Sequence, residues 1–152
     1  MEMKGEERIA APRDLVWAAL NDPDVLKGCI PGCTAIKRHS ATDFTATLKV
    51  RIGPIPMTFS GSMTLSNVNA PHSYTLSGES TGGIAGLAKG RADVTLTPDG
   101  EETILAYEAS AEIGGKLAKL GSRLVGSSAS KHAAKFFADF GDAARAKAMR
   151  DA

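Results

Sequence analysis

Aromatic side chains are scarce in this 152-residue chain, at 5%, and cysteine occurs only twice. The core must therefore be filled by aliphatic and small side chains, without a disulfide framework to organise it. No charge of one sign dominates. Eighteen basic residues face seventeen acidic ones, and the net +1 excludes an overall field that would gather nucleic acid. Long apolar runs are also missing, so no segment reads as a membrane-spanning helix. The opening Met1-Glu2-Met3-Lys4-Gly5-Glu6-Glu7-Arg8 is polar, which argues against a signal peptide and sets the expectation of a cytoplasmic protein. What remains, 43% hydrophobic and 23% charged residues, is the make-up of a single domain over 1–152 with enough apolar material for a core.

Strict alternation is the dominant pattern. Phe44, Ala46, Leu48, Val50 and Ile52 share one parity against Thr45, Thr47, Lys49 and Arg51. After Gly53-Pro54-Ile55-Pro56 the pattern resumes as Met57, Phe59, Gly61, Met63 and Leu65 against Thr58, Ser60, Ser62 and Thr64. Period-two patterning predicts strands with one apolar and one wet face, joined as antiparallel neighbours. Three more segments follow, at 74–78, 90–96 and 105–113, the last two separated by the Pro98-Asp99-Gly100 turn. Met3, Gly5, Glu7 and Ile9 suggest a further strand at the N-terminus. Glu7 falls on its inward parity, so either the register differs or a polar group stands at the edge of the interior.

Two short helices are predicted next. Pro12 suits the first turn of one that ends at Leu20; Asp22 caps a second, with Pro23 in its first position and Gly28 at its end. From Lys116 the period becomes helical. Leu117, Leu120, Leu124, Ser128, His132, Phe136 and Phe140 recur every three or four residues, predicting one helix to about Met149, loosened at Gly126-Ser127-Ser128-Ala129-Ser130. The fold class that follows is α+β. A curved antiparallel sheet of six or seven strands wraps around the long C-terminal helix, the only element long enough to cover its apolar face, with two short helices after strand 1.

The inner face of that sheet is rich in small or flexible residues: Ala46, Met57, Gly61, Met63, Gly78, Ala92, Ala109 and Ala111. Each methylene missing from a packed core costs about 1 kcal/mol, so such a lining predicts an apolar cavity that admits an apolar small molecule. The alternative is that Phe136, Phe137 and Phe140 fill the space. The first hairpin would contribute Leu48, Met57, Phe59 and Met63 to the cavity wall, and the later strands Tyr74, Leu87, Val94 and Tyr107. The helix would contribute Leu120, Leu124, Ser128 and Phe136.

Several motifs look like chemistry. Gly78-Glu79-Ser80-Thr81-Gly82 has the Gly-x-Ser-x-Gly order of serine hydrolases, but it ends a strand and enters a glycine-rich stretch unable to open the helix that mechanism needs. That stretch, 82–90, is either a plain connection or a gate in which Ile84 and Leu87 touch ligand. Cys29 and Cys33 flank Ile30-Pro31-Gly32; with no second cysteine pair they read as reduced thiols, against a disulfide or a metal site completed from elsewhere. His39 and His72 fall in turns. Trp17 reads as a helix anchor. Lys116, Lys119, Arg123 and Lys131 form either a solvated face or a weak contact for anionic headgroups. Catalysis would require Glu7, Glu108 and His132 to converge.

Taken together, Gly5-Glu6, Ala11-Pro12 with Val16-Trp17, Leu20-Asn21-Asp22-Pro23, Cys29-Ile30-Pro31-Gly32-Cys33, Gly82-Gly83 with Gly86 and Gly90, and Gly114-Gly115-Lys116-Leu117 resemble the CoxG-like family of carbon monoxide dehydrogenase subunits. That family lies within the START-like (SRPBCC) helix-grip superfamily, and the resemblance runs from Met3 to about Phe140. It implies a helix-grip fold and a non-catalytic accessory protein for a molybdenum hydroxylase of the carbon monoxide dehydrogenase type, with no cofactor of its own. Its implied ligand is a quinone or lipid held in the cavity, and its implied setting includes a transient membrane-surface contact. Either ligand carriage or recruitment and maturation of the partner enzyme fits that role. Some relatives extend into a hydrophobic C-terminal anchor; the sequence given runs to Ala152 without one, which sets the expectation of a shuttling mode.

Overall fold

The computed structural model describes residues 1–80 and 87–151, with Leu87 and Lys116 given by their backbone. The alternating segments are strands: β1 (Glu2–Ile9), β3 (Asp43–Ile52), β4 (Ile55–Asn69), β5 (Ser73–Ser80), β6 (Leu87–Asp99) and β7 (Glu102–Gly114). A further strand, β2 (Cys33–Arg38), lies in a stretch for which alternation predicts none. The helices are α1 (Arg13–Leu20), α2 (Pro23–Cys29), α3 (Gly115–Ala118) and α4 (Ser122–Asp151).

All pairings are antiparallel, in the order β1-β7-β6-β5-β4-β3-β2. Strands β2 to β7 therefore run as a meander, while β1 joins the far side of β7. The α1–α2 pair carries the chain from one edge of the sheet to the other. Burial follows parity as predicted: Phe44, Ile52 and Met57 are buried and their neighbours in sequence are exposed. Glu7 keeps its inward position, half-buried opposite Leu105, so the strand register stands.

Helix boundaries show two corrections. The side chain of Asp22 accepts from the Asp24 N–H at 3.0 Å and Pro23 opens α2 as predicted, but the helix passes Gly28 and ends at Cys29. The sharp reversal comes at Gly32, whose φ of +74° and contact with the Lys49 carbonyl leave no place for a side chain. In the C-terminal helix the break falls at Gly121, not at 126–130. Gly121 has φ +90° and separates α3 from α4, which then runs unbroken for 30 residues. Tertiary burial of Val125, Phe140 and Ala144 outweighs the poor helix propensity of the Gly-Ser stretch.

The packed core occupies one end of the molecule. Ile9, Val16, Leu96, Leu105, Phe140 and Ala144 are nearly inaccessible there. Phe136 stacks on Phe140 with centroids 5.6 Å apart, Tyr107 stacks on Phe137 at 5.2 Å, and Trp17 meets Tyr74 edge-on at 5.4 Å. A smaller cluster of Ile52, Met57, Leu117 and Val125 closes the opposite end. The first half of α4 spans the interval between the two clusters.

Candidate functional site

Under that first half of α4 the sheet is bare. Gly78 of β5 pairs with Gly90 of β6, which pairs with Ala111 of β7. Beside them Ala46 faces Gly61, and Ala92 faces Ala109. With so little side chain on the inner face, a hollow of about 500 Å³ remains, roofed by Val125, Ser128, Ala129 and His132 of α4. The phenylalanines that would fill it, Phe136, Phe137 and Phe140, lie farther along the helix. Part of the interior is therefore packed and part is open.

The glycines of the floor differ in kind. A Cβ built on Gly61 would stand 2.5 Å from the Glu79 carbonyl oxygen, so this glycine is required by the approach of two strands. A Cβ on Gly78 meets nothing nearer than 3.7 Å, and one on Gly90 would meet the Ser110 carbonyl oxygen at 3.3 Å. Neither has a positive φ. Packing and backbone conformation leave Gly78 free to be larger; what its small size preserves is the hollow.

A second hollow of about 280 Å³ lies toward the packed core. Tyr74, Val94, Leu105, Tyr107 and Phe136 line it, joined by Leu26 of α2 and Ile30 just past the end of that helix. Gly5 makes room for Tyr107, since a Cβ there would stand 2.8 Å from the tyrosine hydroxyl. Met63, Leu76 and Ala92 belong to both hollows. A third concavity, about 550 Å³ on the outer face among Thr64, Ser77, Lys89 and Glu112, has a polar and charged lining unsuited to an apolar guest.

The predicted cavity residues are thus divided. Leu48, Phe59, Met63 and Ser128 line the larger hollow; Met63, Tyr74, Val94, Tyr107 and Phe136 line the smaller. Met57, Leu120 and Leu124 line neither and instead belong to the end cluster, where Leu124 packs against Gly53. Leu120 and Leu124 lie beyond the cavity because the chain around the Gly121 break packs onto the β3–β4 hairpin, where Met57 already sits. The backbone of Leu87 pairs with Gly114, while its side chain and the proposed gate residue Ile84 lie outside the described residues. Val125 and Ala129 were missed, although with His132 and Phe136 they form an alternative three- and four-residue spacing on α4. Leu26 and Ile30 carried a related signal, four apart across the C-terminal end of α2.

Among the described residues the candidate reactive groups do not gather. Glu108 points outward and pairs with Lys4 at 3.1 Å, Glu7 lines neither hollow, and only His132 of the three candidate acid-base groups faces the larger one. Ser80 continues β5 and donates to the Ser60 carbonyl at 3.4 Å; the last two residues of its motif lie outside the described residues. His72 Nδ1 lies 2.9 Å from Arg13 Nη1, and His39 Nε2 lies 2.8 Å from Thr45 Oγ1. Cys29 and Cys33 are free thiols; burial, then the charge of Asp139, push the Cys29 thiol up. Among the described residues no cluster of His, Cys, Asp and Glu is placed to hold a metal, and no helix is long and apolar enough to cross a membrane. Burial pushes the Tyr74 hydroxyl up to about 12.

Among solved structures the chain is similar to a conserved protein from Geobacillus kaustophilus, at 28% identity and TM-score 0.87, with 95% of each chain covered. It also shares its fold with the Zhui aromatase/cyclase from Streptomyces sp. R1128 (15% identity, TM-score 0.66, 95% of this chain and 93% of that one). Norcoclaurine synthase from Thalictrum flavum is a further fold relative (13% identity, TM-score 0.62, 93% of this chain and 84% of that one). No curated protein sequence matches. The family model for the carbon monoxide dehydrogenase subunit CoxG matches residues 5–145.

Proposed function

The chain belongs to the CoxG family of carbon monoxide dehydrogenase subunits, and from that premise we propose that it is a non-catalytic accessory protein that carries an apolar molecule for its partner enzyme. The partner is a molybdenum hydroxylase of the carbon monoxide dehydrogenase type, and the cargo is of the quinone or lipid class. The observation that carries this reading is Gly78. A strand interior loses stability by having glycine, the neighbours leave space for a side chain, and the space is kept open beneath α4. Apolar walls supply affinity through burial, while Ser128 and His132 offer hydrogen-bonding groups to an otherwise greasy guest. Glu7, Glu108 and His132 stand apart, which favours binding over catalysis. The exposed Lys119, Arg123 and Lys131 supply positive charge for a transient encounter with the inner surface of the cytoplasmic membrane.

Extraction of the purified protein with organic solvent, followed by mass spectrometry, should recover a quinone or lipid. Titration of the stripped protein with a short-chain quinone should saturate at one equivalent. Recovery of no apolar molecule, together with no quinone binding, would overturn the carrier reading. Replacing Gly78 by leucine separates carriage from simple recruitment: a folded variant that no longer binds ligand yet still supports the partner enzyme fully would mark the hollow as incidental.

A further inference from the structure

Strand β1 forms one edge of the sheet, and its free side carries an ordered set of charges. Met1 exchanges both backbone hydrogen bonds with Ala111, at 3.0 and 2.8 Å. Alternation along the antiparallel ladder then commits Met3, Gly5, Glu7 and Ile9 to β7. It turns the N–H and C=O groups of Glu2, Lys4, Glu6 and Arg8 away from the sheet. Among the described residues no backbone group from beyond the edge bonds to those four. Their side chains are exposed. Lys4 meets Glu108 at 3.1 Å, and Arg8 meets Asp99 and Glu102 at 2.9 and 2.8 Å. Glu2 and Glu6 stand opposite Ser110 and Ala106 instead, and among the described residues neither has an ion pair.

We propose that this edge is a homodimer interface, in which β1 pairs antiparallel with β1 of a second copy about a two-fold axis through Gly5. In that register Glu2 faces Arg8 of the second copy and Lys4 faces its Glu6. Each carboxylate that lacks a cation in its own sheet gains one across the interface. All four residues also sit at hydrogen-bonded positions of the new ladder, so the outward backbone groups of both edges are satisfied together. A slip of two residues one way sets Glu2 against Glu6 and Lys4 against itself. The same slip the other way sets Lys4 against Arg8 and Glu6 against itself. Charges on an edge ordinarily keep strands apart, whereas this order favours one pairing and opposes its neighbours. On the axis the two Gly5 residues meet at a non-hydrogen-bonded position, where side chains would come closest. The opposite edge, β2, is interrupted by a bulge between Cys33 and Ala35, so association closes at two copies. This inference stands apart from the carrier reading and does not need it.

The test is sedimentation equilibrium of the whole protein from micromolar to millimolar concentration. The native chain should fit a monomer–dimer equilibrium with no larger species. Lys4→Glu and Glu6→Lys each set like charges face to face at two symmetry-related places, and each should weaken association by about tenfold or more. An equimolar mixture of the two variants restores opposite charges at every facing position, so it should associate as the native protein does. Glu6→Pro removes an outward N–H that β7 does not use and should also weaken the dimer, which covers the case in which a charge variant fails to fold. A native protein that stays monomeric throughout would overturn the proposal. So would a dimer that folded Lys4→Glu and Glu6→Pro variants leave unchanged, or a mixture of the charge variants that associates no better than either alone.

Discussion

Replacing Gly78 and Gly61 separately asks whether the hollow is a requirement of the fold or an addition to it. Both glycines sit on the inner face of adjacent strands and both are half-buried, yet the space around them differs. At Gly61 a Cβ would stand 2.5 Å from the Glu79 carbonyl oxygen and 3.1 Å from backbone carbon atoms, so alanine forces β4 and β5 apart. Overpacking of this kind costs about 1–3 kcal/mol. At Gly78 the nearest atoms, Met63 Cγ and the Ser62 carbonyl oxygen, are both 3.7 Å away, which is ordinary contact. Alanine there restricts the unfolded chain and should stabilise by about 0.4–1 kcal/mol. Valine adds strand preference and fills part of an empty space, raising the gain to about 1–2 kcal/mol. With a urea m-value of about 2 kcal/mol/M, the unfolding midpoint should rise by about 0.5–1 M in Gly78→Val and fall by about 0.5–1.5 M in Gly61→Ala. Ligand affinity should fall in Gly78→Val even as stability rises. Equal destabilisation of the two variants would refute the reasoning, because it would mean that β5 needs its glycine for the backbone and that the hollow is a by-product of strand packing.

Three further outcomes follow from particular contacts. Tyr74 holds its proton to about pH 12 in the folded chain, against an ordinary value of 10.0. The stability linked to it is thus complete below pH 10 and is lost between pH 10 and 12, by about 3 kcal/mol in all. Tyr74→Phe should remove this part of the alkaline loss in denaturation curves taken across that range, and an unchanged pH profile would contradict it. Thr103 is fully buried and donates to the Ala11 carbonyl at 2.8 Å. Thr103→Val should cost about 1–3 kcal/mol in chemical denaturation and Thr103→Ser much less; equal stability of the valine variant and the native protein would show the bond to be dispensable. Cys29 is buried, with its thiol pushed up by burial and by Asp139, whereas Cys33 is half-buried. Iodoacetamide at pH 8 should label Cys33 first by peptide mass spectrometry, with Cys29 reacting only on unfolding. Equal labelling rates would show that the α2 end opens freely.

The sequence by itself determined the order and type of nearly all elements, because the signals involved are local. Alternation at 44–52 and 57–65 requires only that one face be apolar, and Asp22-Pro23 starts a helix whatever surrounds it. Even the outlying Glu7 had its position fixed by parity. Strand β2 escaped because an edge strand is half-covered at most, so Cys33–Arg38 carries no clean period of two. The helix break escaped for a different reason: Gly121 and Gly126 are the same residue type, and only the turn onto the β3–β4 hairpin decides which of them leaves the helix. The site depended most on tertiary structure. The small inner-face residues announced an unfilled interior, but not that Gly61 is pinned by the Glu79 carbonyl while Gly78 is free, nor that Ser128 and Tyr107 line different hollows. An empty space is a property of side chains distant in sequence that fail to meet, and no local pattern records what is absent between them.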